Sequence, residues 1–315
     1  MGGATCQLAR PRGRGLALGA LLGLLVVLMA PARAPASFAG KNGRLAIQSD
    51  RGGDGDQIFT ANPGGGDLNQ VTHSSTYVTL PAFSRSATRI VFTKITGVDP
   101  NQAGDIFVMR SDGSHQKNLT QTPASEYSAS FSPDGRHILF ESDRTGKDQL
   151  YLMKADGSDQ RRIISDPHDN DDPVFFPSGE KVAFTRYANG SSEIYTVRLD
   201  GTHLHRVTVN SRPDYFPDVS PDGKSIAFNE NLSQDNPELY VMRADGSHKQ
   251  RLTNTSQGRE FDATFSPDGS KIAFDRSTTA MGDYDVAMMN ADGTDQHTVL
   301  GGPSYDYVAD WARKH

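Results

Sequence analysis

Cysteine is nearly absent. The only one, Cys6, precedes the first hydrophobic run, so the rest of the chain holds no disulfide, thiol nucleophile or thiolate metal site. Lying before that run rather than after it, Cys6 is also misplaced for a bacterial lipoprotein anchor. Helical patterning is missing too: no window sustains apolar residues at a 3.6-residue period, only 36% of residues are apolar and 31 are glycine. That composition suits many short strands joined by tight turns. Basic residues are in the minority. The formal net charge is −6, and because residues 1–36 carry Arg10, Arg12, Arg14 and Arg33 but no acid, removing them takes it four lower, to −10. A nucleic acid partner is not expected, since that affinity comes largely from Lys and Arg set against phosphates. A basic peptide or a cation is the better match. Long hydrophobic runs are lacking as well: Leu16–Met29 is unbroken over 14 residues, short of the about 20 that span a bilayer.

That run has its own meaning. Arg10, Arg12 and Arg14 precede it, and small residues with prolines follow through Gly40, the order of an export signal. Ala34-Pro35-Ala36 or Ser37-Phe38-Ala39 supplies a small-x-small cleavage site, so residues 1–36 are expected to be a signal peptide cut near 36–39. The remainder then works outside the cytoplasm, periplasmic or secreted, with no membrane span after cleavage. An uncleaved signal anchor would tether the same domain on the outer face of the membrane.

What the chain does have is a repeat. The turn Ser132-Pro133-Asp134-Gly135 returns as Phe176-Pro177-Ser178-Gly179, Ser220-Pro221-Asp222-Gly223 and Ser266-Pro267-Asp268-Gly269, with a degenerate copy at Ser84-Arg85-Ser86-Ala87. An apolar strand follows each turn (Ile90-Val91-Phe92, Ile138-Leu139-Phe140, Val182-Ala183-Phe184, Ile226-Ala227-Phe228, Ile272-Ala273-Phe274), and Leu45-Ala46-Ile47 matches it near the start. A second strand comes next, then an Asp-Gly-Ser/Thr turn at Asp112, Asp156, Asp200, Asp245 and Asp292. Asp-Gly closes hairpins because Asp bonds its own downstream backbone and Gly accepts positive φ. Four antiparallel strands, here called a to d, make one unit, and a unit that cannot bury its own apolar face must stack on copies of itself. The step from the end of strand d to the aromatic of the next strand a is 11 residues at Thr72–Phe83, Thr120–Phe131, Ile164–Phe175, Thr208–Val219 and Leu300–Trp311, and 12 at Thr253–Phe265. Such constancy fits a radial step around an axis better than a sandwich or a parallel β-helix.

The ends of the chain complete each other. The first unit begins at strand b, Arg44–Gln48, and the last segment, Tyr307–Trp311, matches strand a and stops. The expected fold is all-β: a six-bladed beta-propeller of four-stranded blades over residues 41–315, closed by pairing the C-terminal strand with the N-terminal blade, which removes both sheet edges. Trp311 takes the slot filled elsewhere by Phe83, Phe131, Phe175, Val219 and Phe265, at a seam between blades.

The repeated F-S-P-D-G-x-x-I-x-F followed by I-Y-x-M-x-x-D-G-S-x-x-x-x-L-T resembles the beta-propeller domain of TolB-like proteins, over essentially all of residues 41–315. The resemblance is to the propeller alone, without the α/β domain that precedes it in TolB itself. It implies a non-catalytic protein that binds a peptide or lipoprotein segment of an envelope or extracellular partner. The related propellers of prolyl oligopeptidase-like peptidases come with a hydrolase domain that these residues do not contain.

Function is expected on the face of the b–c and d–a connections, where the b–c lengths vary while the a–b and c–d turns stay constant. From the last b-strand aromatic to the first c-strand residue, the b–c steps are 14, 10, 10, 11 and 12 residues in the five blades that begin at Phe92, Phe140, Phe184, Phe228 and Phe274. Nine residues before each turn glycine, at the start of strand a, stand Glu126, Asn170, Asp214 and Glu260, with Asp306 and Val78 in the equivalent slots. These acids form a broken ring at the channel mouth, extended by Asp171, Asp172, Asp218, Asp262 and Asp310. Two accounts fit: a negative potential that draws in a basic peptide or cation, and polar capping of the inner strand ends. Partner-binding candidates are Glu126, His168, Asp171, Asp172, Asp214, Glu260, Asp262 and Asp306. No cofactor is required; a Ca2+ or other divalent ion would need six to eight converging oxygens. The remaining b–c acids, Asp54, Asp56, Asp143, Asp148, Glu193, Asp235, Glu238, Asp283 and Asp285, read as solvated turns, and His115, His203, His205, His248 and His297 as scattered around the rim.

No G-x-S-x-G, H-E-x-x-H, P-loop or dinucleotide fingerprint occurs, and none of the chemistry those motifs carry is expected. The leading expectation is an exported, non-catalytic, monomeric binding propeller. The alternatives are a propeller lyase or glycosidase acting on polysaccharide with a divalent metal, and a carbohydrate-binding module.

Overall fold

Three of the a–b turns, those of sequence S-P-D-G, are held by their own side chains. Ser132 Oγ donates to Asp134 Oδ1 at 2.6 Å and accepts the His137 amide at 2.9 Å, while Asp134 Oδ1 takes the Arg136 amide at 3.0 Å. Ser220 with Asp222 and Ser266 with Asp268 repeat the pattern. The hairpin is therefore a local consequence of S-P-D-G.

The computed structural model describes residues 39–53, 55–96, 103–232, 236–255, 258–277 and 283–314. The expected signal peptide and the acids Asp54 and Asp235 lie outside them. Among the described residues, six four-stranded antiparallel sheets account for every strand. Blade 1 joins the two ends of the chain: strand a is Asp306–Lys314, b Lys41–Ser49, c Gln57–Ala61 and d Asn69–Gln70. Blade 2 runs Val78–Phe83, Arg89–Ile95, Gly104–Arg110 and Lys117–Asn118. Blade 3 runs Glu126–Phe131, His137–Ser142, Gln149–Lys154 and Arg161–Arg162. Blade 4 runs Asp169–Phe175, Lys181–Ala188, Ser191–Arg198 and His205–Arg206. Blade 5 runs Asp214–Val219, Ser225–Asn231, Pro237–Arg243 and Gln250–Arg251. Blade 6 runs Arg259–Phe265, Lys271–Ser277, Asp285–Asn290 and His297–Leu300.

The six a strands touch one another in order, and that of blade 1 touches that of blade 2, so the ring closes. Trp311 pairs with Leu45, is 1% exposed, and packs with Ala273, Val286 and Met288 of blade 6. The outer d strands are only two residues long in five blades. A short edge strand offers little template for pairing with another chain.

The c–d turns do more than reverse the chain. A β-carbon on Gly113 would lie 1.9 Å from the Val71 carbonyl oxygen of the preceding blade, and one on Gly201 would lie 2.5 Å from that of Ile163. Glycine at this position lets one blade rest on the next.

The threonine that ends the L-T signature ties strand d to strand c. Thr120, Thr208 and Thr253 Oγ1 accept the amides of Ile106, Ile194 and Leu239 at 2.9–3.0 Å and bond Asp105, Glu193 and Glu238 at 2.6–3.2 Å. Thr72 and Gln57 repeat the arrangement in blade 1. Glu193 and Glu238 are thus buried and paired with Arg206 and Arg251 at 2.6 Å, which corrects their reading as solvated turns. Their role is to anchor the d–a connections, so the variable face is rigidly built.

Candidate functional site

The start of strand a is where the sequence placed its acidic ring. Glu126, Asp214, Glu260 and Asp306 are all fully buried, and each finds partners in or beside its own blade. Glu126 accepts from Thr122 Oγ1 at 2.6 Å, Ser142 Oγ at 3.2 Å and Arg144 at 2.9 Å. Asp306 accepts from Ser49 Oγ at 2.6 Å and Arg51 Nε at 2.8 Å. Asp214 takes Asn210 Nδ2 at 2.6 Å with Lys249 at 3.9 Å, and Glu260 takes Thr255 Oγ1 at 2.8 Å with Arg276 at 3.4 Å. Burial pushes Asp214 up to about 6 and Glu260 up to about 7 against the pull of these cations and donors, and raises Glu126 as well. At this level the geometry matches strand-end capping. The carboxylates hold the b-strand ends and loop cations in place.

His168 sits at the blade 4 entrance with its side chain 34% exposed. Its Nδ1 lies 2.9 Å from Arg186 and 3.3 Å from Asp166, and its carbonyl accepts Gln149 Nε2 at 2.6 Å.

A second tier, deeper on strand a, joins the blades. Every a strand carries a bulge. In five blades the residue there has positive φ: Leu80, Ser128, Asp172, Phe216 and Asp262, at +52° to +58°. Non-glycine residues in this region are costly and hold only where surroundings over-determine them. Here the surroundings are side chains of the preceding blade: Gln48 accepts the Leu80 amide, Glu141 that of Asp172, Thr185 that of Phe216 and Asn229 that of Asp262, at 3.2–3.3 Å, and Asp275 that of Val308 at 2.6 Å. β-branched Val308, the blade 1 counterpart, stays out of the left-handed region as its branching requires. The sequence carried a signal for this tier. The residue after each b-strand apolar triplet is polar in all six blades, at Gln48, Thr93, Glu141, Thr185, Asn229 and Asp275, and each is buried.

Two inner acids are used in the same way. Asp218 accepts the Phe265 amide at 2.8 Å and Asp310 that of Phe83 at 2.6 Å, each across a seam. Complete burial raises Asp310 to about 7.

Asp171 has a different setting. Its carboxylate meets Glu141 and Asp148 of blade 3, with ligand oxygens all within 4.8 Å of one another. Three oxygens so close suit a hard cation or the head group of a Lys or Arg side chain. Lys147, the neighbouring cation, is paired with Asp169 at 2.9 Å. Of the expected site residues, the structure therefore brings Asp171 and Asp172 together with Glu141 at the seam of blades 3 and 4. It leaves Asp214, Glu260, Asp262 and Asp306 on blades 5, 6, 6 and 1.

The rim histidines have a local explanation. In Asp112-Gly-Ser-His115 the serine Oγ donates to Asp112 at 2.6 Å and lies 2.9 Å from His115 Nδ1; Asp200–Thr202–His203 and Asp245–Ser247–His248 repeat this. The hydroxyl proton goes to the carboxylate, so the imidazole is no base for it and these are turns rather than triads. The three histidines have φ of +56° to +58°, a conformation His tolerates better than most residues.

The profile of the TolB beta propeller domain matches residues 95–172 and 160–312. The chain belongs to the TolB beta-propeller family. A TolB homolog of Chlorobium luteolum is 29% identical over 132 residues, covering 30% of this chain and 30% of the relative, so the match spans under a third of that protein's length. The crystal structure of TolB from Acinetobacter baumannii superposes with a TM-score of 0.72 at 21% identity, over 86% of this chain and 67% of that one. An enzyme shares the fold at greater distance: oligogalacturonate lyase from Vibrio parahaemolyticus, at 13% identity and a TM-score of 0.55, over 82% and 90% of the two chains. Among the described residues no helix is long and apolar enough to cross a membrane.

Proposed function

We propose that this chain is an exported, non-catalytic propeller that binds a segment of an envelope or extracellular protein on the face formed by its b–c and d–a connections. The observation that carries the reading is the construction of that face. The b–c connections of unequal length stand beside d–a connections that buried staples anchor in blades 1, 2, 4 and 5, around a mouth where Glu141, Asp148 and Asp171 draw three carboxylates together across a seam. A rigid scaffold bearing unequal loops is how binding surfaces are usually made, and the concentrated negative charge favours a basic segment. Asp171 and His168 stand at the contact surface in this reading, while Asp172 is buried one tier deeper and Glu126, Asp214, Glu260 and Asp306 hold the surface from behind. Membership of a family named for TolB supports protein binding in the periplasm or outside the cell; in this reading the chain acts as a monomer and without a cofactor.

The test is site-specific photo-crosslinking in the producing cells with the full chain. A photoreactive residue at Asp148, on the proposed face, is expected to give protein adducts that the same residue at His203, on the opposite face, does not. Adducts of equal yield from both positions, or from His203 alone, would reject the surface. Turnover of a polysaccharide by the purified protein, lost on chelation and restored by one metal, would replace binding with the lyase or glycosidase alternative.

A further inference from the structure

One position of strand a, the residue after the capped start, reads Thr79, Tyr127, Asp171, Tyr215, Phe261 and Tyr307 around the ring. Aromatics fill it in blades 3, 5, 6 and 1, and an acid in blade 4 alone. Tyr215, Phe261 and Tyr307 belong to the contiguous blades 5, 6 and 1, and with Phe216, Tyr284 and Tyr305 they form a continuous aromatic arc. Successive ring centroids are 4.9 Å apart for Tyr215–Phe216, 6.4 Å for Phe216–Phe261, 5.9 Å for Phe261–Tyr284, 5.3 Å for Tyr284–Tyr307 and 6.4 Å for Tyr307–Tyr305. Asp171, at the same level, joins Glu141 and Asp148 at the seam of blades 3 and 4. In a ring of six, that seam faces the seam of blades 6 and 1, which the arc crosses between Tyr284 and Tyr307.

The arc reaches the open surface at Tyr305, while Phe216, Phe261, Tyr284 and Tyr307 are buried within it. Among the described residues three large apolar side chains are exposed: Leu204, Val209 at 75% and Tyr305 at 39%. Val209 lies on the connection into blade 5 and Tyr305 on the connection into blade 1, both on the proposed binding face. Bared apolar groups beside a polar rim mark contact surfaces, and tyrosine is among the residues that dominate them. Asp275, buried behind Tyr284 and Tyr307, is held well above the ordinary carboxylate range by burial and by Asp262.

We propose that the mouth reads a partner's peptide segment by two opposed features: an aromatic or branched aliphatic side chain docks on the arc, and a lysine or arginine of the same segment docks on Glu141, Asp148 and Asp171. This rests on the reading that the face binds protein, and adds which segments it selects and which way round they lie. A segment basic throughout or apolar throughout satisfies only one side and binds more weakly, by about tenfold for loss of a single anchor.

Selection from a random peptide phage library tests it with three forms of the full chain: wild type, Val209→Ser with Tyr305→Ser, and Asp148→Asn with Asp171→Asn. The arc substitutions sit on exposed residues, and thermal melting of all three forms checks that they fold. Wild type is expected to enrich peptides that carry both a basic and an aromatic or aliphatic residue. The arc variant should lose the apolar enrichment and keep the basic one, and the acid variant the reverse. Wild-type peptides lacking this pairing, or both variants losing both classes together with unchanged melting, overturn the two-feature mouth while leaving protein binding intact. No enrichment by wild type over heat-denatured protein overturns the binding reading itself.

Discussion

Gly113 has φ +86° and a neighbour where its β-carbon would go, whereas Gly135 has φ +70° and open space around it. The pair separates two costs that both fall on glycine. Gly135→Ala should lose about 1 to 2 kcal/mol, the price of a left-handed residue with a β-carbon. Gly113→Ala adds displacement of the Val71 carbonyl and should cost about 3 kcal/mol or more, a loss that takes a named mechanism such as a blade forced off its neighbour. Parallel urea unfolding of the two variants checks the order, and equal losses would remove the seam from the explanation. Asp310 makes a different prediction. Its folded pKa of about 7 lies above the ordinary value near 3.9, so the folded chain keeps a proton that the unfolded chain releases between those values. Stability should therefore fall as pH rises from about 4 to about 7 and level off above. Asp214 and Glu260 act in the same direction, so Asp310→Asn should reduce the decline rather than abolish it. Unfolding at pH 5 and pH 8 measures the difference, and an unchanged decline would show that Asp310 contributes none of it.

At the scale of a strand, the c–d staple and the closing strand are the two places where one side chain secures a whole element. Thr253 Oγ1 accepts the Leu239 amide at 2.9 Å and donates to Glu238 at 2.6 Å. Thr253→Val keeps the shape but leaves a buried amide and a buried carboxylate short of a partner. The expected cost is about 1 to 3 kcal/mol, with faster hydrogen exchange at Leu239 and along the connection that follows. Trp311 secures the closing strand, filling the seam between blades 6 and 1 with its Nε1 donating to the Gly43 carbonyl at 3.3 Å. Trp311→Ala should cost about 3 to 5 kcal/mol. Because this strand alone joins the two ends of the chain, the variant should also become sensitive to proteolysis near residue 41, which a comparable cavity at Phe175 in blade 4 should not produce.

For the molecule as a whole, the ring sets what can face what. Six similar blades place equivalent residues at one level around the axis, so a difference between copies becomes a difference between sides of the mouth. An acidic side steers a basic partner at long range, and that steering is screened by salt. Association with a peptide selected by the wild type should therefore slow as ionic strength rises, with dissociation changing less. Stopped-flow measurement across a salt series checks this, and an association rate indifferent to salt would leave the acidic side without a steering role.

Much of this was local and so could be read along the chain. Turn chemistry at S-P-D-G and D-G-S/T, the polar residue after each b-strand triplet and the complementary ends near Leu45 and Trp311 all act over a few residues or through strict repetition, and they determined the six-bladed fold and its closure. What tertiary structure alone decided was the environment of each carboxylate. Glu126, Asp214, Glu260 and Asp306 share a register, but burial and a cation from their own blade turn them into caps, because a charge removed from water must be paired. Glu193 and Glu238 became staples for the same reason. Asp171 lies one residue beyond Asn170, the blade 4 member of that register, and meets two acids of the neighbouring blade instead; that juxtaposition depends on the radial packing of blades 3 and 4, and no distance along the sequence records it.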